Sequence, residues 1–320
     1  MNKLDKDTFI RFKLIENLIN KYPIKEFDKS EIDHIKSVYK EYIPEYKVVK
    51  ENLIFEDSQF IDKELKDEFI HYKEYLHIEE PTIDIKISYN KIDKQLVTII
   101  YSIVKLFKKL YTEKTIKLKF ALTNHKRNIS KKIIGTVNVN GGQTDGRTIE
   151  LFRREEIIKV LCHELIHFYQ LDCRSIDNSQ NKILDKFKIK TNNIDQSINE
   201  AYTEYLAVLH HIAIISFYTN KSPYLIYHYE KLWSMYQVCK ILKHYNMNKF
   251  DDLQVNKFVQ ETNVFSYYII KFFLLWKLDN KCSSKTLINI LDDQDIIKVI
   301  NQNMNLQFDK NLRMTLFELK

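Results

Sequence analysis

Glycine is nearly absent from this chain: 320 residues contain four, and proline and cysteine also number four each. With abundant Lys, Ile, Asn and Tyr, this scarcity fits an AT-rich coding genome, and no repeat or low-complexity stretch interrupts the sequence. The cysteines, Cys162, Cys173, Cys239 and Cys282, are widely separated and no export signal precedes them. That excludes a disulfide framework and leads us to expect a reduced, intracellular, cytoplasmic protein. No uncharged apolar run reaches the about 18 residues of a membrane span. The longest runs, Leu206 to Tyr218 and Val264 to Trp276, are interrupted by His210, His211 and Lys271, and read as buried helices with no transmembrane segment. A hydrophobic content of 44% excludes a disordered chain and is enough for a sizeable core.

Acidic residues are missing from one stretch. Residues 105 to 132 hold ten Lys or Arg against the single acid Glu113, within a net charge of +7. Such a segment attracts anionic partners, either nucleic acid or acidic protein, unless it is simply a solvated face.

What little glycine there is lies together. Gly135, Gly141, Gly142 and Gly146 share one 12-residue window that closes shortly before His163-Glu164-Leu165-Ile166-His167. Glycine permits positive φ and close backbone approach, so the window predicts a hairpin whose main chain comes near a site. In HELIH, two imidazoles four positions apart share one helix face with a carboxylate beside them, an arrangement that can hold zinc and activate water. The competing reading is a solvated stripe, since Lys159, His163, His167 and Gln170 fall on one face of an otherwise apolar helix.

Residues 1 to 80 read as a helical N-terminal extension. From Pro81 the period changes: Ile83, Ile85 and Ile87 alternate with polar residues, giving a strand at 82 to 89. A helix over 92 to 112, an alternating strand from Ile116 to Leu122, strands at 132 to 140 and 147 to 152, and the HELIH helix over 153 to 171 follow. The expected fold is α+β, a β-α-β-β-β-α lobe over 81 to 171. A mostly helical lobe over 172 to 320 comes after it, with the site between the two.

Catalytic zinc takes three protein ligands and keeps one position open, so HELIH needs a third donor. Asn199-Glu200-Ala201-Tyr202-Thr203-Glu204 offers one. Glu200 and Glu204 share a helix face, where like charges repel by about 0.2 to 0.5 kcal/mol, and a cation beside them removes that cost. We assign Glu200 to the metal and Glu204 to the outer N–H of a ligand histidine, which fixes its tautomer. Against this, Ser197-Ile198-Asn199-Glu200 is also a capping-box pattern. Cys173 is a rival third ligand, weakened because Gln170 stands where the corresponding motif requires glycine.

HELIH followed 33 positions later by the glutamate of NEAYTE resembles the gluzincin group of zinc metallopeptidases, whose thermolysin-like members pair HExxH with NExxSD. Here the second motif ends in Thr-Glu. The resemblance covers residues 82 to 215 and implies a zincin-like lobe, one zinc ion per chain and hydrolysis of peptide bonds. Composition and the segment ETNVFSYY, from Glu261 to Tyr268, are similar to uncharacterised metallopeptidase-like proteins of large DNA viruses. With zinc bound, Glu164 is the expected general base and Tyr267 the expected oxyanion donor. A peptide or protein substrate is expected along Gly135 to Asn140, with Asn138, Asn140, Gly141 and Gly142 as binding residues. The alternatives are a catalytically silent zinc-binding scaffold and a protease recruited to nucleic acid by residues 105 to 132. A third alternative, that residues 1 to 80 occlude the cleft until removed, has no cysteine before Cys162 to serve as a thiolate switch.

Overall fold

The computed structural model describes residues 3–55, 58, 60–61, 63–91, 93–172, 177–191, 197–277 and 284–320. Helices α1 (Lys6–Leu14), α2 (Glu16–Lys21) and α3 (Ser30–Val38) precede strand β1 (Lys47–Val49) and helix α4 (Lys63–Phe69). Strands β2 (Tyr75–Glu80) and β3 (Ile83–Ser88) form a hairpin, and α5 (Lys94–Leu110) crosses over to β4 (Ile116–Ala121). One helical turn, α6 (Thr136–Val139), leads to β5 (Gly142–Thr144), β6 (Thr148–Leu151) and α7 (Ile157–Phe168). Then follow α8 (Asp177–Lys186), β7 (Ile189–Thr191), α9 (Asn199–Thr219) and α10 (Pro223–His244). Strand β8 (Phe258–Gln260), a π-helical turn over Phe265–Ile270, α11 (Lys271–Lys277), α12 (Ser284–Leu291) and α13 (Gln294–Asn301) complete the order.

The fold is α+β, built on a mixed six-stranded sheet in the order β1-β2-β3-β4-β6-β5. Strands β3, β4 and β6 are parallel, and β1, β2 and β5 run antiparallel to their neighbours. Ile83, Ile85 and Ile87 turn to the buried face with Leu118 and Phe120, as period two requires. Asp93 caps α5 by accepting from Leu96 N at 3.1 Å, and the helix buries its Leu96, Ile99, Ile100, Ile103 and Phe107 stripe. Helix α7 packs against α5, β5, β6 and α9, which places it at the centre of the molecule.

Three expectations from the sequence are corrected. Residues 1 to 80 are not wholly helical, because β1 and β2 supply two of the six strands. The alternation that marks β2, Leu76 and Ile78, begins before Pro81 and is only two apolar residues long. The strand expected at 132 to 140 is absent: Asn138 Oδ1 accepts from Gly135 N at 3.0 Å and Asn140 N donates to Thr136 O at 2.8 Å, closing a helical turn instead. The C-terminal half is mostly helix, with one parallel pair of short strands, β7 and β8, within it. The HELIH helix is shorter than 153 to 171, starting after Glu156 and ending where Gln170 takes a φ of 57°.

The start of α7 is tied to the far end of the chain. Glu156 sits in the left-handed region, φ 59°, and its buried carboxylate accepts from Met314 N at 3.1 Å, Thr315 N at 2.6 Å and Arg127 at 2.5 Å. Glu230 on α10 accepts from Leu316 N and Phe317 N, and Trp233 donates to Arg313 O. Residues 312 to 317 thus cross the interior as irregular chain whose main-chain groups are met by Glu156, at the start of α7, and by side chains from α10.

Burial alone would raise the Glu156 carboxyl, but Arg127, Arg313 and Lys159 hold it down at about 2. A depressed carboxyl contributes stability that is present above its unfolded value of about 4.3 and is lost as pH falls toward 2. Replacing Glu156 by Gln leaves Arg127 buried without its anion. We expect a loss of about 3 to 5 kcal/mol in urea unfolding at pH 7, and a flatter stability profile than wild type between pH 4.5 and 2.

Candidate active site

Six groups alternate in charge along the contact between α7 and α9. Lys159, His163 and His167 are spaced by four on one face of α7, and Glu204 and Glu200 are spaced by four on the facing side of α9. Lys159 Nζ lies 2.5 Å from Glu204 Oε1, which is itself 2.8 Å from His163 Nδ1. The last contact is close, although the ring N–H does not meet the oxygen squarely. Beyond the ring, His163 Nε2 is 3.3 Å from Glu200 Oε2, His167 Nε2 is 3.4 Å from the same oxygen, and the two Nε2 atoms are 3.1 Å apart. Asp172 ends the series, with Oδ2 at 3.7 Å from His167 Nδ1.

The three converging atoms form, among the described residues, the one group of His, Cys, Asp or Glu donors close enough to hold a metal ion. Their mutual distances match a coordination sphere. Donors at about 2.0 to 2.1 Å from a tetrahedral zinc stand about 3.3 to 3.4 Å from one another. Glu200 Oε2 is buried and makes no hydrogen bond, as an oxygen reserved for a cation would. The outer nitrogens both face carboxylates, Glu204 and Asp172, the usual support for metal-binding imidazoles.

The same carboxylates favour the protonated imidazoles. Burial alone would lower the His167 pKa, but Asp172 and Glu200 outweigh it and push it up to about 11; Glu204 and Glu200 likewise raise His163. Both glutamates are held well below the carboxylate range despite burial, Glu200 by the two imidazoles and Glu204 by Lys159 and His163.

Glu164 lies beside this cluster in a cleft of about 400 Å³ whose walls include Gly142, Thr144, Phe60 and Tyr267. Burial raises its carboxyl, with His163 and His167 pulling the other way. Strand β5 forms the rim. Gly141 O accepts from Phe152 N and Asp145 N donates to Thr148 O, so in this register Gln143 bonds inward to β6 while the main-chain groups of Gly142 and Thr144 face outward. A Cβ on Gly142 would stand 3.1 Å from Glu164 Cγ and Oε1, which is why glycine lets the rim pass so close.

Tyr267 enters from the π-helical turn, its ring centroid 6.2 Å from that of His163. π-turns recur where a helix must aim one residue at a site. Burial beside Glu200 and Glu204 pushes its phenol well above the ordinary value, so it keeps its proton. The rest of ETNVFSYY anchors this turn. Thr262 Oγ1 donates to Asn140 Oδ1, Asn263 Oδ1 accepts from Ser197 N, and Ser266 donates to Ser197 O.

Of the substrate-strand residues, Asn140 and Gly142 line the cleft. Gly141 borders a smaller adjoining cavity with His163, Glu164 and Tyr267, and a Cβ there would strike Arg127 at 2.5 Å, whereas Asn138 is buried away from both, donating to Asn128 O and Ser130 Oγ. The rim is β5, a few residues beyond the expected Gly135 to Asn140. Glu200 caps nothing, since no side chain caps α9 and its N-cap position is Ile198. The solvated stripe is also corrected, as Lys159 is 1% exposed and His163 7%. Asp172 and Lys159 are the two site residues that the motifs did not single out. Cys173 lies outside the described residues. In the basic stretch, Lys105, Lys108, Lys119 and Lys126 are engaged by Glu80, Glu113, Glu150 and Glu155. Among the described residues, no helix is long and apolar enough to cross a membrane.

No protein-family model matches the chain, and no solved structure matches it. A segment of 78 residues, 23% of the chain, is 38% identical to an uncharacterized protein of Acanthamoeba polyphaga mimivirus. The match spans 18% of that protein's length.

A raised imidazole pKa contributes stability that is complete below the unfolded value of about 6.5 and is lost as pH climbs through the folded value. We therefore expect the protein, in chelator, to lose stability between about pH 6.5 and 11, and His167→Ala to be flatter over that range in thermal unfolding.

Proposed function

We propose that the chain is a zinc-dependent peptidase of gluzincin type, with His163, His167 and Glu200 holding one zinc ion. The observation that carries this reading is the convergence of three donor atoms at tetrahedral spacing, with one of them, Glu200 Oε2, otherwise unbonded. Zinc held there supplies Lewis acidity to a water and to a carbonyl oxygen. Glu164 takes a proton from the attacking water onto its carboxylate as the new C–O bond forms. The same oxygen then delivers that proton to the departing amine nitrogen as the C–N bond breaks. Tyr267 donates its phenolic hydrogen to the oxygen that gains charge.

The outward main-chain groups of Gly142 and Thr144 suit an extended peptide added to the sheet edge, which supports a peptide over a compact small molecule. Resemblance to the gluzincins rests on HELIH and NEAYTE. The mimivirus match and the ETNVFSYY segment support a viral origin. Cys162 and Cys239 are buried free thiols, consistent with action in a reducing compartment.

Glu164→Gln removes the proton acceptor and keeps the ligands. On extended peptide substrates we expect turnover to fall by about 10²- to 10⁴-fold with zinc content unchanged. Tyr267→Phe is expected to lower kcat by about 10²- to 10³-fold with little change in KM. Full activity in Glu164→Gln would sink the mechanism.

A further inference from the structure

The motifs account for His163, Glu164, His167, Glu200 and Glu204, and leave Lys159 without a function. It is a buried cation with the surroundings of a working part. Its Nζ meets Glu204 Oε1 at 2.5 Å, both side chains are at most 2% exposed, and the same oxygen is the neighbour of His163 Nδ1. Met314 Sδ, from the buried C-terminal segment, lies 3.1 Å away, and Lys271 Nζ donates to Met314 O at 3.0 Å. A buried lysine is costly unless paired, and among the contacts just named its one anion is Glu204.

We infer that Lys159 is a positioning residue for the zinc site, acting through Glu204 on His163; this rests on the zinc reading above. The terminal torsion of a glutamate is broad, so one contact does not orient its carboxylate. Glu204 has two on one oxygen, from α7 residues one turn apart. Its other oxygen, Oε2, is buried and makes no hydrogen bond. Removing Lys159 would take away the cation bonded to Glu204 Oε1, leaving the imidazole contact and the field of the buried Lys271, and would free the carboxylate to turn Oε1 away from Nδ1. The ring then loses the partner that keeps its N–H outward and its Nε2 lone pair toward the metal.

The test is zinc affinity, read by chelator competition on the full chain, with cobalt(II) absorption reporting ligand geometry and far-UV circular dichroism reporting folding. Loss of an outer partner of this kind costs about 10- to 100-fold in metal affinity. We expect Glu204→Gln and Lys159→Met each to weaken zinc binding by that factor, Lys159→Arg to restore most of it, and Lys159→Met/Glu204→Gln to bind no more weakly than Glu204→Gln. A residue that merely fills the core would not give this non-additivity or the rescue by arginine. If Lys159→Met fails to fold, the double variant, which removes both charges of the pair, carries the test. A further tenfold loss in the double variant, or wild-type affinity in a folded Lys159→Met, overturns the inference. A wild type that binds no zinc overturns it together with the peptidase reading, whereas a zinc-binding wild type with an unaffected Lys159→Met overturns the inference alone.

Discussion

The structure turns on the opposition of charge between two buried helices. Lys159, His163 and His167 on α7 face Glu204 and Glu200 on α9, and Asp172 closes the far end. Either helix alone would concentrate like charges on a buried face. Packed together, each group finds its opposite at the same four-residue spacing, and the ladder runs from the sealed interior, at Lys159, to the open cleft, at His167. At Glu200 a carboxylate oxygen remains without a hydrogen bond, and the donor cluster gathers there.

The rest of the fold holds that opposition in place. The sheet supports α7 from below and offers β5 as a rim, with glycine where a side chain would press on Glu164. The π-helical turn brings Tyr267 in from the opposite wall. The buried C-terminal segment fixes the start of α7 through Glu156 and touches Lys159 through Met314. Residues more than 150 positions apart in sequence therefore meet within a few ångströms of the site.

Much of this is legible in the order of residues. Four-residue spacing within a helix is a local property, so His163, Glu164, His167, Glu200 and Glu204 can be placed on common faces and matched from spacing alone. The strands at Ile83 and Ile116 and the long helix between them announce themselves by period. What cannot be read this way depends on contacts between distant segments. Lys159 resembles a solvated lysine until Glu204 is brought against it. Asp172 follows α7 as an ordinary polar residue. Strand β2 carries too few alternating residues to stand out, and the turn at Thr136–Val139 is decided by Asn138 bonding to Gly135, which no periodicity reveals.

The central claim is that the ladder converges on a zinc ion. Diffraction data from crystals grown with zinc, collected above and below the zinc absorption edge, test it most directly. The account predicts one anomalous peak per chain, about 2.0 to 2.2 Å from His163 Nε2, His167 Nε2 and a Glu200 carboxylate oxygen. No peak between those three atoms, or zinc bound only elsewhere, would contradict it.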